Sequence, residues 1–374
     1  MDKKLRVGIV GCGGMGSGHA IAIQSGTGNA VWNGNITDNN GYDSPATTRI
    51  GEIMEVGGIV DIKESRQDWA REHGFYVYRD YSTMLHDETI DAVLIATPNH
   101  LHKSMAIDAL RAGKHVLCEK PVMITSQDLI EVLAVARECN KIFYPRQNRE
   151  WDEDFLIVKK IYEERILGDV FDIQCRIMGS FGIPGDWRAK KECGGGMMLD
   201  WGVHIIDRIV KLIPEKIKRI YCDAKYINNS ECDDNILVHL TFESGITSLL
   251  EVDTCHYIRL PMWNIFAKNG SAQIEDWSCE GKMIKKITAE DEETVPVLAG
   301  SGLTKTMAPR TKSSVEELPL PRFDFDRNEL YKNFVECCQG KAAQIVTPEH
   351  ALRVLRIMEA CFESAKSGTA VSFE

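Results

Sequence analysis

The sequence predicts an α/β protein of two domains, an N-terminal doubly wound parallel sheet and a C-terminal α/β domain with a large open, mostly antiparallel sheet. The 374 residues exceed the roughly 150 that are usual for one domain. In the first third, short apolar runs alternate with helical patterns, whereas from about residue 170 apolar runs follow one another directly. We therefore divide the chain into residues 1–145 and 146–374.

Alternating strands and helices define the first domain. Strands are predicted at Leu5–Val10, at 92–97, at 115–118 and up to 59–61, where a second strand ends. Helices are predicted at 15–24, 65–73 and about 101–112, and after Thr125, which forms a capping box with Asp128. Residues 26–56, rich in Gly and Asn, are predicted to be an insertion before the second strand.

Adjacent strands without intervening helices define the second domain. The predicted strands are 170–178, 217–226, 236–242, 246–254 and 263–268, a succession typical of a mixed or antiparallel sheet. Residues 286–325 contain several prolines and glycines and are predicted to be a long excursion. Loops of this length in compact domains usually serve function or build an interface.

Composition excludes several classes of protein. The net charge is −11 and no stretch concentrates Lys and Arg, so a nucleic-acid partner is not expected. No apolar run approaches the roughly 18 residues of a membrane span, which predicts a soluble cytoplasmic protein. The twelve cysteines are scattered without a CxxC pair, which predicts reduced, mostly buried thiols and no metal site.

A glycine-rich run follows the first strand and opens the first helix. In this GxGxxG pattern Gly11 allows a tight turn, Gly13 lets a pyrophosphate approach, and Gly16 lets the helix pack closely on the strand. Amides at the start of the helix, near Gly14 and Met15, can bind phosphate. The run predicts a dinucleotide site.

Two acidic residues compete to hold the ribose hydroxyls of this nucleotide. Asp38 has the usual spacing of 22 residues after Gly16 but lies among turn-forming residues. Asp61 ends an apolar run and precedes a helix, and we prefer it. A carboxylate there repels a 2′-phosphate and favours NAD over NADP, although Lys63 and Arg66 lie nearby.

Further polar residues follow the next two strands, where doubly wound sheets bind ligands. Glu119 and Lys120 end one strand, and an ammonium in a closed pocket can transfer protons near neutral pH. A solvated lysine at the strand end is the alternative for Lys120. The other cluster, which we also assign to the cofactor site, consists of Thr97, Pro98, Asn99 and His102.

A third cluster begins with the glycine triplet at 194–196. If the following residues are helical, Asp200 and His204 are four apart and share one face, so that the carboxylate can orient the imidazole. The glycines allow close approach of another backbone.

Together these motifs resemble the Gfo/Idh/MocA oxidoreductase family over nearly the whole chain. The combination of Glu119-Lys120-Pro121 with the glycine triplet and the Asp-x-Gly-x-His run carries the resemblance. It implies a Rossmann N-terminal domain that binds NAD, a cis bond before Pro121, and a homo-oligomer built by the C-terminal sheet. It also implies a catalytic set of Lys120, Asp200 and His204, in which Asp200 fixes His204. Either Lys120 or His204 is the proton acceptor.

The resemblance is strongest to members that form 3-keto sugars. It implies oxidation of a glucoside or hexose at C3, with glycosides of plant aglycones, including C-glycosides, as the preferred subset. Arg149, Trp151 and Trp187 are candidate substrate contacts beside Asp200 and His204, because a sugar ring packs well on indole. The alternatives are a redox-neutral NAD-dependent glycosidase, an inositol dehydrogenase and a non-catalytic NAD-binding regulator.

Overall fold

The N-terminal half forms a parallel sheet with helices on both faces. The computed structural model describes residues 3–25, 48–229, 231–287 and 294–374. Within them the strands of this sheet are β1 (Leu5–Val10), β2 (Met54–Val60), β3 (Ala92–Ile95), β4 (His115–Glu119) and β5 (Phe143–Arg146). The helices are α1 (Gly14–Ser25), α2 (Ile50–Ile53), α3 (Glu64–Glu72), α4 (Tyr81–His86), α5 (His102–Arg111) and α6 (Ser126–Glu138).

The order β2-β1-β3-β4-β5, with every pairing parallel, confirms the doubly wound prediction. Alternate residues of β3 enter different hydrophobic clusters, because successive side chains of a strand point to opposite faces. Ala92 and Leu94 join one cluster, and Val93 and Ile95 join the other. The sheet is therefore buried on both sides.

The predicted insertion at 26–56 is wrong at its C-terminal end. Residues 50–53 form α2 and residues 54–56 open β2, while 26–47 lie outside the described residues. The strand is at the sheet edge, and Glu55 pairs there with Arg6 of β1 at 3.0 Å. A charged residue and two glycines within β2 shortened its apolar signal.

The C-terminal half builds the second sheet, of nine strands within the described residues. Its order is β15-β12-β11-β10-β6-β9-β8-β7-β16, and only the β6 and β9 pair is parallel, which confirms a large, mostly antiparallel sheet. The strands are β6 (Val170–Met178), β7 (Ile217–Lys225), β8 (Asn235–Phe242), β9 (Thr247–Asp253), β10 (Trp263–Ala267), β11 (Gly270–Ile274), β12 (Gly281–Lys286), β15 (Val315–Leu318) and β16 (Val371–Ser372).

The predicted excursion at 286–325 is only partly a loop. It contains a hairpin of β13 (Val297–Ala299) and β14 (Gly302–Thr304), and then β15, which pairs with β12 at the sheet edge. This strand has only four residues, and the central two are glutamates, so its sequence shows no alternation of apolar and polar residues. Within the hairpin, Leu298 and Leu303 are 77% and 72% exposed.

Among its described residues, the C-terminal half also contains four α-helices: α7 (Glu153–Glu163), α8 (Val203–Leu212), α9 (Glu329–Cys338) and α10 (Pro348–Ser367). Although α9 follows the predicted domain boundary by almost 200 residues, its Leu330 and Phe334 pack in the cluster that contains Val7 of β1. All twelve cysteines are free thiols, and eight are buried. No helix among the described residues is long and apolar enough to cross a bilayer.

Candidate active site

The glycine-rich loop lies between β1 and α1, at the carboxyl edge of the first sheet. A Cβ on Gly16 would lie 1.8 Å from the carbonyl oxygen of Gly11, and one on Gly11 would lie 2.6 Å from that of Ala96. A Cβ on Gly13 would meet nothing within 4 Å. Gly11 and Gly16 are therefore required by the protein's own packing, whereas Gly13 borders open space at the start of α1, which fits a phosphate.

Asp61 follows β2 directly and contacts this loop. Its Oδ2 accepts a hydrogen bond from the backbone N–H of Cys12 at 2.6 Å, and its Oδ1 accepts one from that of Lys63 at 2.8 Å. Each carboxylate oxygen has a further lone pair for a ribose hydroxyl. The competing Asp38 lies outside the described residues.

Of the four residues predicted to contact the cofactor after β3, two have polar side-chain atoms that contact other protein groups. His102 is fully buried, and its ring nitrogens lie 2.9 and 3.0 Å from the carbonyl oxygens of Thr97 and Pro121. Asn99 is also buried and donates to the carbonyl of Gly194 at 2.7 Å. These two side chains fix the loop, and only Thr97 and Pro98 remain partly exposed as candidate cofactor contacts.

Glu119 likewise points into the protein, where protein groups bind its carboxylate. Its Oε1 lies 2.8 Å from Nε2 of His19 and 2.9 Å from Arg146, and its Oε2 accepts the backbone N–H of Lys120. Burial would raise the pKa of Glu119, but Arg146 and the hydrogen bond from His19 outweigh burial and hold the pKa below its usual range. The carboxylate therefore anchors the residue next to Lys120.

Lys120 pairs with Asp200 across the two domains. Its Nζ lies 2.8 Å from both the carbonyl oxygen and Oδ1 of Asp200, which leaves one N–H free for a ligand. Arg188 Nε lies 3.3 Å from Oδ2 of the same carboxylate. Burial opposes ionisation of Asp200, yet Lys120 and Arg188 keep its pKa lowered. The Lys120–Pro121 peptide bond is cis.

The predicted orientation of His204 by Asp200 is wrong. Residues Met198–Gly202 form a π-helical turn that continues into α8, and in such a turn backbone bonds join residues five apart. The Asp200 carboxylate turns to Lys120, and among the described residues Nδ1 of His204 is buried without a hydrogen-bond partner. Burial, followed by Lys120 and Arg149, lowers the pKa of His204 well below its usual value, so the imidazole is neutral.

Of the predicted substrate contacts, Arg149 reaches this region and Trp151 does not. The guanidinium of Arg149 contacts two neighbouring indoles, 4.8 Å from the ring centre of Trp201 and 5.0 Å from that of Trp277. Trp151 packs against the core cluster that contains α9. Trp187 is partly exposed and stacks on Arg188, whose guanidinium lies 4.6 Å away.

The glycine triplet is approached by protein groups on three sides. A Cβ on Gly194 would lie 3.0 Å from Asn99 Cβ, and a Cβ on Gly195 would lie 2.2 Å from the carbonyl oxygen of Arg188. On Gly196 it would lie 2.2 Å from Oδ1 of Asp233. The triplet therefore packs against the first domain, the loop that carries Arg188 and the loop before β8.

Sequence reasoning missed Arg188, Asp233 and Trp277. Arg188 follows the candidate Trp187, but its spacing of twelve residues from Asp200 fits no helical period. Asp233 begins an acidic pair before an apolar strand, a pattern typical of a turn. Trp277 is an isolated aromatic residue. Within the described part of the chain, no cluster of His, Cys, Asp and Glu could hold a metal ion.

We expect the protein to lose stability as the pH falls below about 6.5, the ordinary value for histidine. Burial lowers the pKa of His19, His102 and His204 in the folded state. The unfolded chain therefore binds protons that the folded chain does not. As the pH falls, the free energy of unfolding decreases by up to about 1.4 kcal/mol per pH unit for each such histidine. Asp233 and Glu150 oppose this trend because burial raises the pKa of both carboxyl groups, that of Asp233 to about 7.

The measurement is the melting temperature between pH 7.5 and 5. His204→Asn should reduce the slope, and His73→Asn, at an exposed site, should not. A melting temperature that is constant over this range would contradict the burial of three neutral imidazoles.

Two family profiles match the chain and together span most of it. Residues 5–147 match a profile described as an oxidoreductase family with an NAD-binding Rossmann fold. Residues 155–273 match the GFO/IDH/MocA C-terminal domain.

Individual relatives agree with these matches. An NAD-binding protein from Listeria innocua superposes with a TM-score of 0.89 at 40% identity, covering 99% of both chains. The scyllo-inositol 2-dehydrogenase (NADP(+)) of Bacillus subtilis is 26% identical over 80% of this chain and 83% of its own. Levoglucosan dehydrogenase of Pseudarthrobacter phenanthrenivorans is 28% identical over 57% of this chain and 52% of its own.

Proposed function

The chain belongs to the Gfo/Idh/MocA oxidoreductase family, and we propose that it is an NAD-dependent dehydrogenase of a sugar or glycoside. It oxidises a secondary hydroxyl, at C3 of a glucoside or hexose, to a ketone. Glycosides with plant aglycones, including C-glycosides, are the preferred subset. The family relation supports the oxidoreductase activity and binding of a nicotinamide nucleotide; the choice of carbon rests on the resemblance of the motifs.

One observation carries this proposal: a lysine with a free N–H and a neutral histidine without a hydrogen-bond partner in the described part of the chain both adjoin the turn that carries Asp200. Two protein oxygens hold the Lys120 ammonium and leave its third N–H free. His204 is neutral, and its buried Nδ1 has no partner among the described residues. Asp200, which holds Lys120, lies in the turn that continues into the helix of His204, and the Lys120 charge contributes to the lowered pKa of His204. The hydroxyl group of a carbinol can donate its proton to His204, and its oxygen, which becomes negative, can accept the free N–H of Lys120.

In the proposed mechanism His204 accepts the hydroxyl proton and Lys120 stabilises the developing alkoxide. His204 can accept at once because it is neutral, whereas Lys120 carries a proton in its pair with Asp200. Asp200 holds the ammonium in place, and Arg188 shares the carboxylate. Arg149 packs against Trp201 and Trp277 and adds positive charge near His204.

The glycine-rich loop and Asp61 would hold the nucleotide. Gly13 borders open space for the pyrophosphate, and the first amides of α1 point along the helix axis toward it. When bound, the nicotinamide supplies the site that accepts the hydride. Thr97 and Pro98 are the partly exposed groups at the end of β3.

We expect wild-type protein to bind NAD more tightly than NADP, because the Asp61 carboxylate repels a 2′-phosphate. Asp61→Ser should narrow the ratio of the two dissociation constants. Asp68→Ser is the matched control, since that carboxylate lies on α3 and pairs with Arg71. Titration of both nucleotides into wild type, Asp61→Ser, Asp68→Ser and Asp38→Ser measures the ratio. Equal affinity of wild type for NAD and NADP, or a larger effect of Asp38→Ser, would reject the assignment.

The position of oxidation is tested by incubating the protein with a glucoside and a keto-sugar acceptor. NMR should place the new carbonyl at C3. A nucleotide that stays bound and is recycled by the second sugar would give ping-pong kinetics. Oxidation only at C1 or C6 would refute the C3 assignment and leave the dehydrogenase activity intact.

Inositol dehydrogenation is the second candidate, because two relatives are named as inositol 2-dehydrogenases. An inositol ring also presents a secondary carbinol, so the same assay should include scyllo- and myo-inositol. Release of free aglycone would instead indicate a redox-neutral glycosidase, and nucleotide binding without any turnover would indicate a regulator.

We also propose a cytoplasmic homo-oligomer in which the segment 286–325 builds subunit contacts. The hairpin within it exposes Leu298 and Leu303, and Met307 follows the hairpin; all three are 72–77% accessible. Exposed apolar groups of this kind favour association. Changing Leu298 and Leu303 to Ser, or deleting residues 300–312, should lower the sedimentation coefficient. Ile345→Ser, an exposed apolar site elsewhere, is the control. An unchanged sedimentation coefficient would contradict a role of this segment in subunit contacts and would indicate that it borders the active site instead.

A further inference from the structure

We propose that Asp233 is a positioning residue, which orients Asp200 and, through it, the Lys120 ammonium by holding the first amide of the π-helical turn. Asp233 lies between β7 and β8, outside every motif of the sequence, and is 3% exposed. Its kinetic consequences rest on the proposed function, whereas its structural consequences do not.

The contacts of Asp233 converge on the residues just before Asp200. Its Oδ2 accepts the backbone N–H of Met198 at 2.6 Å, and its carbonyl oxygen accepts that of Met197 at 2.8 Å. Met198 opens the turn Met198–Gly202 and precedes Asp200 by two residues. The first amides of a helical segment have no partner within it. Asp233 therefore supplies what the turn itself cannot.

Gly196 makes this contact possible. Its backbone φ is +103°, and a Cβ there would lie 2.2 Å from Oδ1 of Asp233. The third glycine of the triplet is thus explained by the approach of this carboxylate, without invoking a ligand. A chain of contacts then runs from Asp233 through the turn to Asp200 and on to Nζ of Lys120.

The neighbouring Asp234 serves a different loop and provides a matched control. It is equally buried, and its carboxylate accepts backbone N–H groups of Ile227, Asn228 and Asn229 at 2.6–3.1 Å. Burial, together with the Asp234 carboxylate, raises the pKa of Asp233 to about 7, against the effect of the Met198 amide. A neutral Asn at 233 thus resembles a form that the protein populates near neutral pH.

The experiment compares Asp233→Ala, Asp233→Asn and Asp234→Ala in full-length protein. Asp233→Ala should lower kcat about 10- to 100-fold, as small misplacements of catalytic groups do, and leave the nucleotide dissociation constant unchanged. Asp233→Asn, which keeps an oxygen acceptor, should restore most of kcat. Asp234→Ala should lower the melting temperature but not kcat. If Asp233→Ala does not fold, Asp233→Leu fills the same space without an acceptor.

A second measurement needs no substrate. Trp201 lies in the turn, 6.0 Å from Trp277, so its emission, taken as the difference from Trp201→Phe, reports displacement of the turn. The emission should shift in Asp233→Ala and not in Asp233→Asn or Asp234→Ala. Wild-type emission and kcat in Asp233→Ala, or equal losses in all three variants, would overturn the inference. If wild type oxidises no sugar, the proposed function fails while the emission still decides the role of Asp233.

Discussion

Lys120→Ala is expected to lower turnover by about 100-fold or more, the usual scale for loss of an acid–base or charge-stabilising group, while nucleotide binding survives. The ammonium is held by two oxygens of Asp200 and has one free N–H. Its removal takes away the positive charge next to the developing alkoxide. The contacts of the glycine-rich loop do not include this side chain. Steady-state turnover and nucleotide titration of the same protein measure the two effects.

Lys103→Ala is the matched control for this prediction. Lys103 also forms carboxylate pairs, with Asp128 and Glu131 at 2.7 Å, but on the surface of α5 and α6. Its replacement should leave turnover unchanged, because exposed pairs contribute little. His204→Ala should resemble Lys120→Ala. Full turnover in both site variants would show that the pair and the imidazole are structural.

Gly13→Ala is expected to weaken nucleotide binding in a protein that folds normally. The added Cβ meets no atom of the protein within 4 Å, so the melting temperature should not change. In the complex the methyl group would occupy space needed by the pyrophosphate, and we expect the dissociation constant to rise about tenfold or more, which is about 1.4 kcal/mol. Calorimetric titration with NAD, beside thermal unfolding, gives both quantities.

Gly302→Ala and Gly16→Ala are the two control variants for this prediction. Gly302 lies in the distant hairpin, where a Cβ has its nearest neighbour at 4.0 Å, and its change should alter neither quantity. A Cβ on Gly16 would lie 1.8 Å from the Gly11 carbonyl oxygen, so Gly16→Ala should lower stability as well as binding. Unchanged NAD affinity in Gly13→Ala would place the pyrophosphate elsewhere.

Local patterns in the sequence determined the fold class and the nucleotide loop. The apolar run Leu5–Val10, the glycines that follow it and the capping pair of Thr125 and Asp128 act within a few residues of each other. Such signals depend on backbone geometry and on local hydrogen bonds, so they can be identified without knowledge of the rest of the chain. Edge strands such as β15, short and charged, gave no such signal.

Tertiary structure alone decided the partners of the polar side chains. Asp200 and His204 are close in sequence, yet Asp200 pairs with Lys120, 80 residues away, because the π-helical turn redirects its carboxylate. Glu119, Asn99 and His102 follow their strands as predicted but face inward to His19, Gly194 and Thr97. Spacing determines which residues can share a local face. The pairing of buried charges depends on the packing of the two domains. A buried ion without a partner is strongly destabilising, so it pairs with an opposite charge that the fold brings near it, however distant in sequence.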